Sequence, residues 1–226
     1  MQKPRALLSW SSGKDSAWAL HVMRQKGEYE IVGLVTTINE RYDRVAMHAV
    51  RVSLLQQQCD SVGIPSWKIP IPYPCSNEQY ESAIKQLLEK AKAEGISHFA
   101  FGDLFLEDIR QYREKQLANT GISPLFPLWK IPTDQLAREM VQSGLRAFIT
   151  CVDPKQIDSS FVGRIFDESF LNDLPPSVDP CGERGEFHSF AFAGPMFQWP
   201  IEIVAGEIVE RDGFIFADLT SRTAAG

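Results

Sequence analysis

The 226-residue sequence predicts an α/β protein: a mainly parallel sheet with helices on both faces, followed by a smaller C-terminal α+β portion. Three observations predict it. Over the first two thirds, apolar runs of strand length alternate with amphipathic runs of helix length, as repeated strand–helix–strand units require. The first apolar run ends in a serine- and glycine-rich loop, directly before a helix-compatible run: Leu7-Leu8-Ser9-Trp10-Ser11-Ser12-Gly13-Lys14-Asp15-Ser16. After about residue 153 the alternation stops, and strand-like runs follow one another with a hairpin signal between them.

Taken in order, Arg5 to Trp10 is a continuous apolar run and reads as a buried strand. Asp15 to Gln25 reads as a helix with Trp18, Ala19, Val22 and Met23 on one face. Ile31 to Thr37 is a second buried strand, and His48 to Ser61 follows a helical pattern that stops at Gly63. Ser66 to Ile71 is a third strand, punctuated by Pro70, Pro72 and Pro74. Asn77 to Ala93 is a long helix with Ile84, Leu87, Leu88 and Ala91 on its apolar face, stopped at Gly95. His98 to Gly102 is a fourth strand, Asp108 to Asn119 a polar helix, and Pro124 to Leu128 an apolar segment. Thr133 to Gln142 is a helix that opens on a capping signal, and Ala147 to Val152 is a further strand.

The division falls at residue 152, between the part that carries the 9–16 loop (1–152) and a smaller portion (153–226). The second part holds a short helical piece from Phe161 to Leu171, then strand-like runs at 187–193, 197–209 and 213–219, the last two joined at Asp212-Gly213. Parallel sheets built with right-handed crossovers bind ligands beyond the carboxyl ends of their strands. That rule gathers the 9–16 loop, Thr36-Thr37 and Gly102-Asp103 around one crevice.

Composition narrows the function classes. At 44% hydrophobic and 23% charged, the chain suits a globular protein with a substantial core. A net charge of −6 counts against broad nucleic-acid binding. Cys59, Cys75, Cys151 and Cys181 lie far apart with no C-x-x-C pair, which argues against a disulfide framework or zinc knuckle and for thiols in a reducing cytoplasm. No run approaches bilayer length and the N-terminal apolar stretch is too short for a signal peptide, so no membrane partner is expected.

The 9–16 loop has the makings of a phosphate cradle. A helix N-terminus carries about half a unit of positive charge and several unpaired N–H donors. Ser9, Ser11, Ser12 and Ser16 add hydroxyls, and Lys14 adds a mobile cation. The loop is not a Walker A motif, because Leu8 stands where the first glycine belongs and Asp15 follows the lysine. Asp15 is either a helix cap or a ligand for a metal bridging to a nucleotide. Asp103, just past a parallel strand, orients a metal or substrate, or caps the next helix. Arg110 and Arg113 reach a phosphate or carboxylate, or are surface residues. In Cys181-Gly182-Glu183-Arg184-Gly185-Glu186-Phe187-His188, Glu183 and Glu186 are placed to bind an amine, hold Mg²⁺ or assist proton transfer, with His188 beside them; the alternative is a polar turn before a hairpin. His48 sits where a nucleotide base would lie, or is a surface helix end.

The S-x-G-K-D-S spacing resembles the PP-loop (S-G-G-x-D-S) of ATP pyrophosphatases, with Ser12 in the place of the usual first glycine. This loop, the run F-G-D-L-F-L-E-D-I-R-Q-Y-R-E with its sequel P-L-F-P-L-W, and C-G-E-R-G-E-F occur in that order. Together they resemble the diphthine–ammonia ligase family of PP-loop ATP pyrophosphatases. The resemblance implies an adenine nucleotide alpha hydrolase-like, Rossmann-like sheet and an ATP-dependent, AMP-forming ligase. Such an enzyme adenylates a carboxylate and passes the acyl group to ammonia or an amine.

By the same resemblance, ATP and Mg²⁺ are the cofactors. Ser9, Ser11, Ser12, Gly13 and Ser16 cradle the departing pyrophosphate, Lys14 neutralises charge and Asp15 holds Mg²⁺. Thr36, His48, Gly102 and Asp103 complete the nucleotide site. Glu183 and Glu186 face the acceptor or the ammonia and, with Lys14 and Asp15, form the catalytic set. Arg184 stands where the family has a glycine. The acceptor is a small-molecule or protein carboxylate, and a homodimer is left open. Two other readings are a nucleotide-binding regulatory protein without ligase activity and a PP-loop tRNA-modifying enzyme. The acidic balance and the missing C-x-x-C pair count against the second.

Overall fold

The computed structural model describes residues 2–41, 44–45 and 50–222. β1 (Arg5–Ser9) runs through the middle of a sheet, flanked in parallel by β2 (Glu30–Asn39) on one side and β5 (His98–Ala100) on the other. β4 (Ser66–Ile71) lies outside β2 and β6 (Ser123–Leu125) outside β5, both parallel. The short β3 (Arg44–Val45) folds back antiparallel on the end of β2. The chain therefore works outward from β1 to β4, then returns to the other side of β1. The order reverses between β1 and β5, and that reversal opens a crevice at the carboxyl end of β1.

Successive side chains of a strand point to opposite faces. Ala6 and Leu8 of β1 pack in one cluster with Trp18 and Leu20 of α1 (Lys14–Lys26) and with Leu54 and Leu55 of α2 (Val52–Val62). Leu7, between them, packs on the other face with Ile84, Leu87 and Leu88 of α3 (Asn77–Ala93) and Leu117 of α4 (Glu107–Leu117). Helices thus cover both faces, as the sequence predicts. α3 starts on a capping box: Gln79 N donates to Ser76 Oγ at 3.2 Å, and Ser76 N donates to Gln79 Oε1 at 2.9 Å.

A second sheet is antiparallel throughout, in the order β8 (Phe187–Ala193), β7 (Arg146–Val152), β10 (Phe214–Ser221), β9 (Ile203–Arg211). Asp212 and Gly213 turn the β9–β10 hairpin with φ of 54° and 82°, the mirror-image turn that such a dipeptide favours. β7 differs from expectation. Its near-continuous burial reads like a strand of the parallel sheet, but it is buried because two antiparallel neighbours and aromatic side chains enclose it.

Two further elements depart from the sequence reading. The helical piece over 161–171 resolves into a 3₁₀ turn at Ser159–Phe161 and α6 (Glu168–Asp173), where Asp167 accepts from Phe170 N at 2.9 Å. The capping signal before α5 (Thr133–Gln142) caps nothing. Thr133 Oγ1 instead donates to Asp179 Oδ2 at 2.7 Å, tying the helix to the 179–186 segment.

Candidate active site

The loop between β1 and α1 lies at the sheet's reversal. Trp10 N still donates to Val35 O at 2.8 Å, so the strand ends one residue later. Ser12 then adopts a left-handed φ of 68°, which turns the chain into the extended Gly13 that precedes α1. That conformation costs a non-glycine residue about 1–2 kcal/mol. Ser12 is fully buried, and its Oγ has no hydrogen-bond partner among the described residues. Ser12→Gly is therefore expected to stabilise the protein by about 1 kcal/mol, a rise of about 2–4 °C in Tm by thermal melting. A lower Tm would mean that the hydroxyl is satisfied after all.

Ser11 and Ser16 bond within the turn. Ser11 Oγ lies 3.2 Å from Ser16 Oγ and accepts from Gly13 N at 3.3 Å, while Ser16 Oγ donates to Gly13 O at 3.0 Å. A Cβ on Gly13 would lie 3.2 Å from Ser189 O, so any larger residue would push β8 back by a few tenths of an ångström. Lys14 N donates to Ser189 Oγ at 3.3 Å across the same junction.

Lys14 is not the mobile cation that its position suggests. Its side chain is 2% exposed, and its ammonium donates to Asp15 Oδ1 and Oδ2 at 3.0 and 2.9 Å and to the Cys181 carbonyl. It also lies 5.6 and 5.3 Å from the ring centres of Phe166 and Phe187. Burial works against the charge, but Asp15, Cys181 and Glu183 outweigh it and hold the Lys14 pKa above its ordinary value. The long stem carries the charge into the 179–186 segment, a destination that no local pattern encodes.

Three acids meet at the mouth of the crevice. Burial, reinforced by Asp179, raises the Asp15 carboxyl against the pull of Lys14. Burial, reinforced by Asp15, raises Asp103 against Arg113. Glu183 accepts from Leu104 N at 2.8 Å and is pushed up to about 7 by burial, with Asp15 and Asp103 adding to the push. Asp103 Oδ2 and Arg113 Nε face each other at 3.7 Å, beyond hydrogen-bond reach, and both are buried without a hydrogen-bond partner among the described residues.

Glu186 does not join them. It is 2% exposed; its Oε1 accepts from Asp179 N and its Oε2 from Arg184 N, both at 2.9 Å. The carboxylate clamps its own loop. Asp179 completes the clamp by accepting from Cys181 N at 2.9 Å and Glu183 N at 3.3 Å. His188 is held neutral, its pKa lowered to about 4 by burial and by Lys14.

A cavity of about 450 Å³ opens beside the loop, bounded by Ser9, Ser11, Thr36, Ile71, Phe99 and Arg113. Thr36 Oγ1 donates to Trp10 O at 2.6 Å, fixing the edge of this cavity. A Cβ on Gly102 would meet the Asp15 backbone carbon at 3.1 Å and Ser16 N at 3.2 Å. Gly102 is thus where the end of β5 presses on the first turn of α1. Gly102→Ala is expected to cost about 1–3 kcal/mol in chemical denaturation, because backbone rather than a side-chain tip must move. His48 lies outside the described residues.

The sequence reading missed Gln58 and Ser189 and left Arg113 open as a surface residue. Gln58 carried a signal: with Ser61 it is one of two polar residues among the core positions Leu54, Leu55, Cys59 and Val62 of α2, and the larger of the two. Ser189 had no such mark, since one serine on a strand is unremarkable without its partner across the junction.

Residues 4–124 match the family model described as the diphthamide synthase N-terminal domain, and residues 132–219 match the diphthamide synthase C-terminal domain. A diphthine–ammonia ligase of Bos taurus is 29% identical over 157 residues, covering 66% of this chain and 57% of that protein. The Homo sapiens ligase of the same name is 30% identical over 152 residues, 63% and 55% of the two lengths. The Danio rerio one is 30% identical over 149 residues, 62% and 56%. The matched region thus spans little more than half the length of these curated relatives. With both domain models matched in order across most of its length, the chain belongs to the diphthamide synthase family.

Proposed function

We propose that this protein is an ATP-dependent, AMP-forming ligase that activates a carboxylate of the diphthine type by adenylation and passes its acyl group to ammonia. One observation carries the reading: the serine-rich loop sits at the sheet's reversal, and the 179–186 segment folds over it so that Glu183 feels Asp15 and Asp103. The relatives' name joins diphthine to ammonia and supplies the acceptor class.

A free carboxylate acylates ammonia poorly, because its leaving group would be oxide. Attack of its oxygen on the α-phosphate of ATP turns that oxygen into part of a good leaving group. In this reading the cavity beside Thr36 takes the nucleoside. The N-terminus of α1, with the hydroxyls of Ser9, Ser11 and Ser16, stabilises the charge growing on the departing pyrophosphate. Asp15 and Asp103 are hard oxygen donors, and the Asp103 oxygen left without a hydrogen bond suits Mg²⁺, which would neutralise phosphate charge when bound. Among the described residues no three His, Cys, Asp or Glu side chains form a ready-made metal cage. Mg²⁺ held by one or two carboxylates plus substrate phosphates needs none.

In this reading Glu183 accepts a proton from the attacking nitrogen. Acceptor recognition falls to the second sheet and its loops, most of it beyond residue 152. The free thiols of Cys59, Cys75, Cys151 and Cys181 suit a reducing cytoplasm, and among the described residues no helix is long and apolar enough to cross a membrane.

The test combines the protein with ATP, Mg²⁺, ammonium and a diphthine-bearing acceptor. AMP and pyrophosphate in equal amounts, formed only with acceptor, are expected. ADP formation, or tight ATP binding without turnover for any acceptor, overturns the reading; the second outcome favours a regulatory module.

Glu183 adds a pH dependence. The rate is expected to rise through a pKa near 7 as this carboxyl ionises, and Glu183→Gln should remove that limb. Stability runs the other way. Folding favours the neutral acid, so its contribution is full below the unfolded-chain pKa of about 4.3 and is lost as pH rises through 7. Glu183→Gln, neutral at every pH, should flatten that decline in Tm.

A further inference from the structure

We propose that Gln58 is a positioning residue for the nucleotide: it holds Ser12 in its left-handed conformation and so aims the phosphate loop. The inference rests on the reading of that loop as the ATP site. Gln58 lies on α2, outside the loop, and is fully buried. Its Oε1 accepts from Trp10 Nε1 at 2.8 Å, and its Nε2 donates to Ser12 O at 2.9 Å and to Ala191 O at 2.6 Å. The amide orientation has one solution, because an indole N–H only donates and the two carbonyls only accept.

Ser12 O receives a second hydrogen bond, from Ala191 N at 2.9 Å. Two donors therefore converge on the carbonyl of the one loop residue with positive φ, one from α2 and one from β8. A serine resists this backbone conformation, and its own hydroxyl gives it no support here. The converging donors hold it instead. Because the turn at Ser12 sets the direction in which Gly13 and the first turn of α1 leave β1, losing a donor lets the loop relax and turns its N–H groups from the phosphate. A glycine at position 12 adopts the left-handed conformation freely and would need the clamp far less.

The test measures the dissociation constant for ATP by calorimetry, with thermal melting alongside. The variants are Gln58→Met, which keeps the volume without donors, and Gln58→Glu, which keeps an acceptor for Trp10. Each is made with Ser12 and with Ser12→Gly. With Ser12, either variant is expected to weaken ATP binding about tenfold, two modest hydrogen bonds' worth. With Ser12→Gly the penalty should shrink below about threefold, as glycine needs little holding. ATP affinity unchanged in both folded Gln58 variants overturns the proposal. So does an equal penalty in the two backgrounds, which would mark Gln58 as a packing residue that lowers Tm and nothing more. If Gln58→Met does not fold, Gln58→Glu decides. Wild-type protein that binds no ATP overturns the nucleotide reading itself, and this inference with it.

Discussion

Asp15→Asn is expected to lower Mg²⁺-dependent pyrophosphate release by about 10²-fold or more, while the protein stays folded. Asparagine is the informative replacement because Asp15 has two roles. It presents a partly exposed carboxylate at the start of α1, and it is the counter-charge of the buried Lys14 ammonium. Asp15→Ala would leave that ammonium with the Cys181 carbonyl and two ring faces, and stranding a buried charge costs about 3–5 kcal/mol. Asp15→Asn keeps the volume and one oxygen for Lys14 but gives up the negative charge that a divalent cation requires. Pyrophosphate release and Tm should be measured together. Normal release from a folded Asp15→Asn variant would sink the metal role.

Glu186→Ala should have the largest effect on stability. Its carboxylate accepts two backbone N–H groups, from Asp179 and Arg184, at a position 2% exposed. Truncation leaves both donors unpaired in a region that water enters poorly. At about 1–3 kcal/mol for each orphaned group, the loss is about 2–6 kcal/mol, or a fall of roughly 4–24 °C in Tm for a chain of this size. Glu186→Gln keeps one accepting oxygen and should lose about half as much. Acceptor-dependent turnover should fall with both, because Glu183 and the Cys181 carbonyl ride on the same loop. If Glu186→Gln abolished turnover with Tm unchanged, the residue would face the acceptor, as the family resemblance implies, rather than clamp the loop.

Most of the fold was legible because it is written in local periods. The strand that becomes β1, the helix that becomes α3 and the Asp212-Gly213 turn each declare themselves within a few residues. The loop between β1 and α1 was legible for the same reason: small hydroxyl and glycine residues between an apolar strand and a helix leave few alternatives. The carboxyl-end rule then brought Thr36, Gly102 and Asp103 to the same crevice without any contact being known. The sheet membership of β7 was not legible, since burial on both faces looks alike at the centre of a parallel or an antiparallel sheet.

The sequence by itself thus determined the strand–loop–helix unit, the parallel sheet around it and the family. These depend on backbone torsion, hydropathy period and residue order, all of which lie along the chain. Only the tertiary structure decided what the charged and amide side chains do. Lys14 pairs with its neighbour Asp15, as adjacency allows, yet its ammonium also reaches the Cys181 carbonyl, 167 residues away. Glu183 and Glu186 share one motif, yet one meets the acids of the crevice and the other fastens its own loop. Gln58 reads as a polar interruption of a helix until Ser12 and Ala191 come within 3 Å of it. Long side chains choose partners by what folding brings within hydrogen-bond reach, and burial then penalises any donor, acceptor or charge left without one.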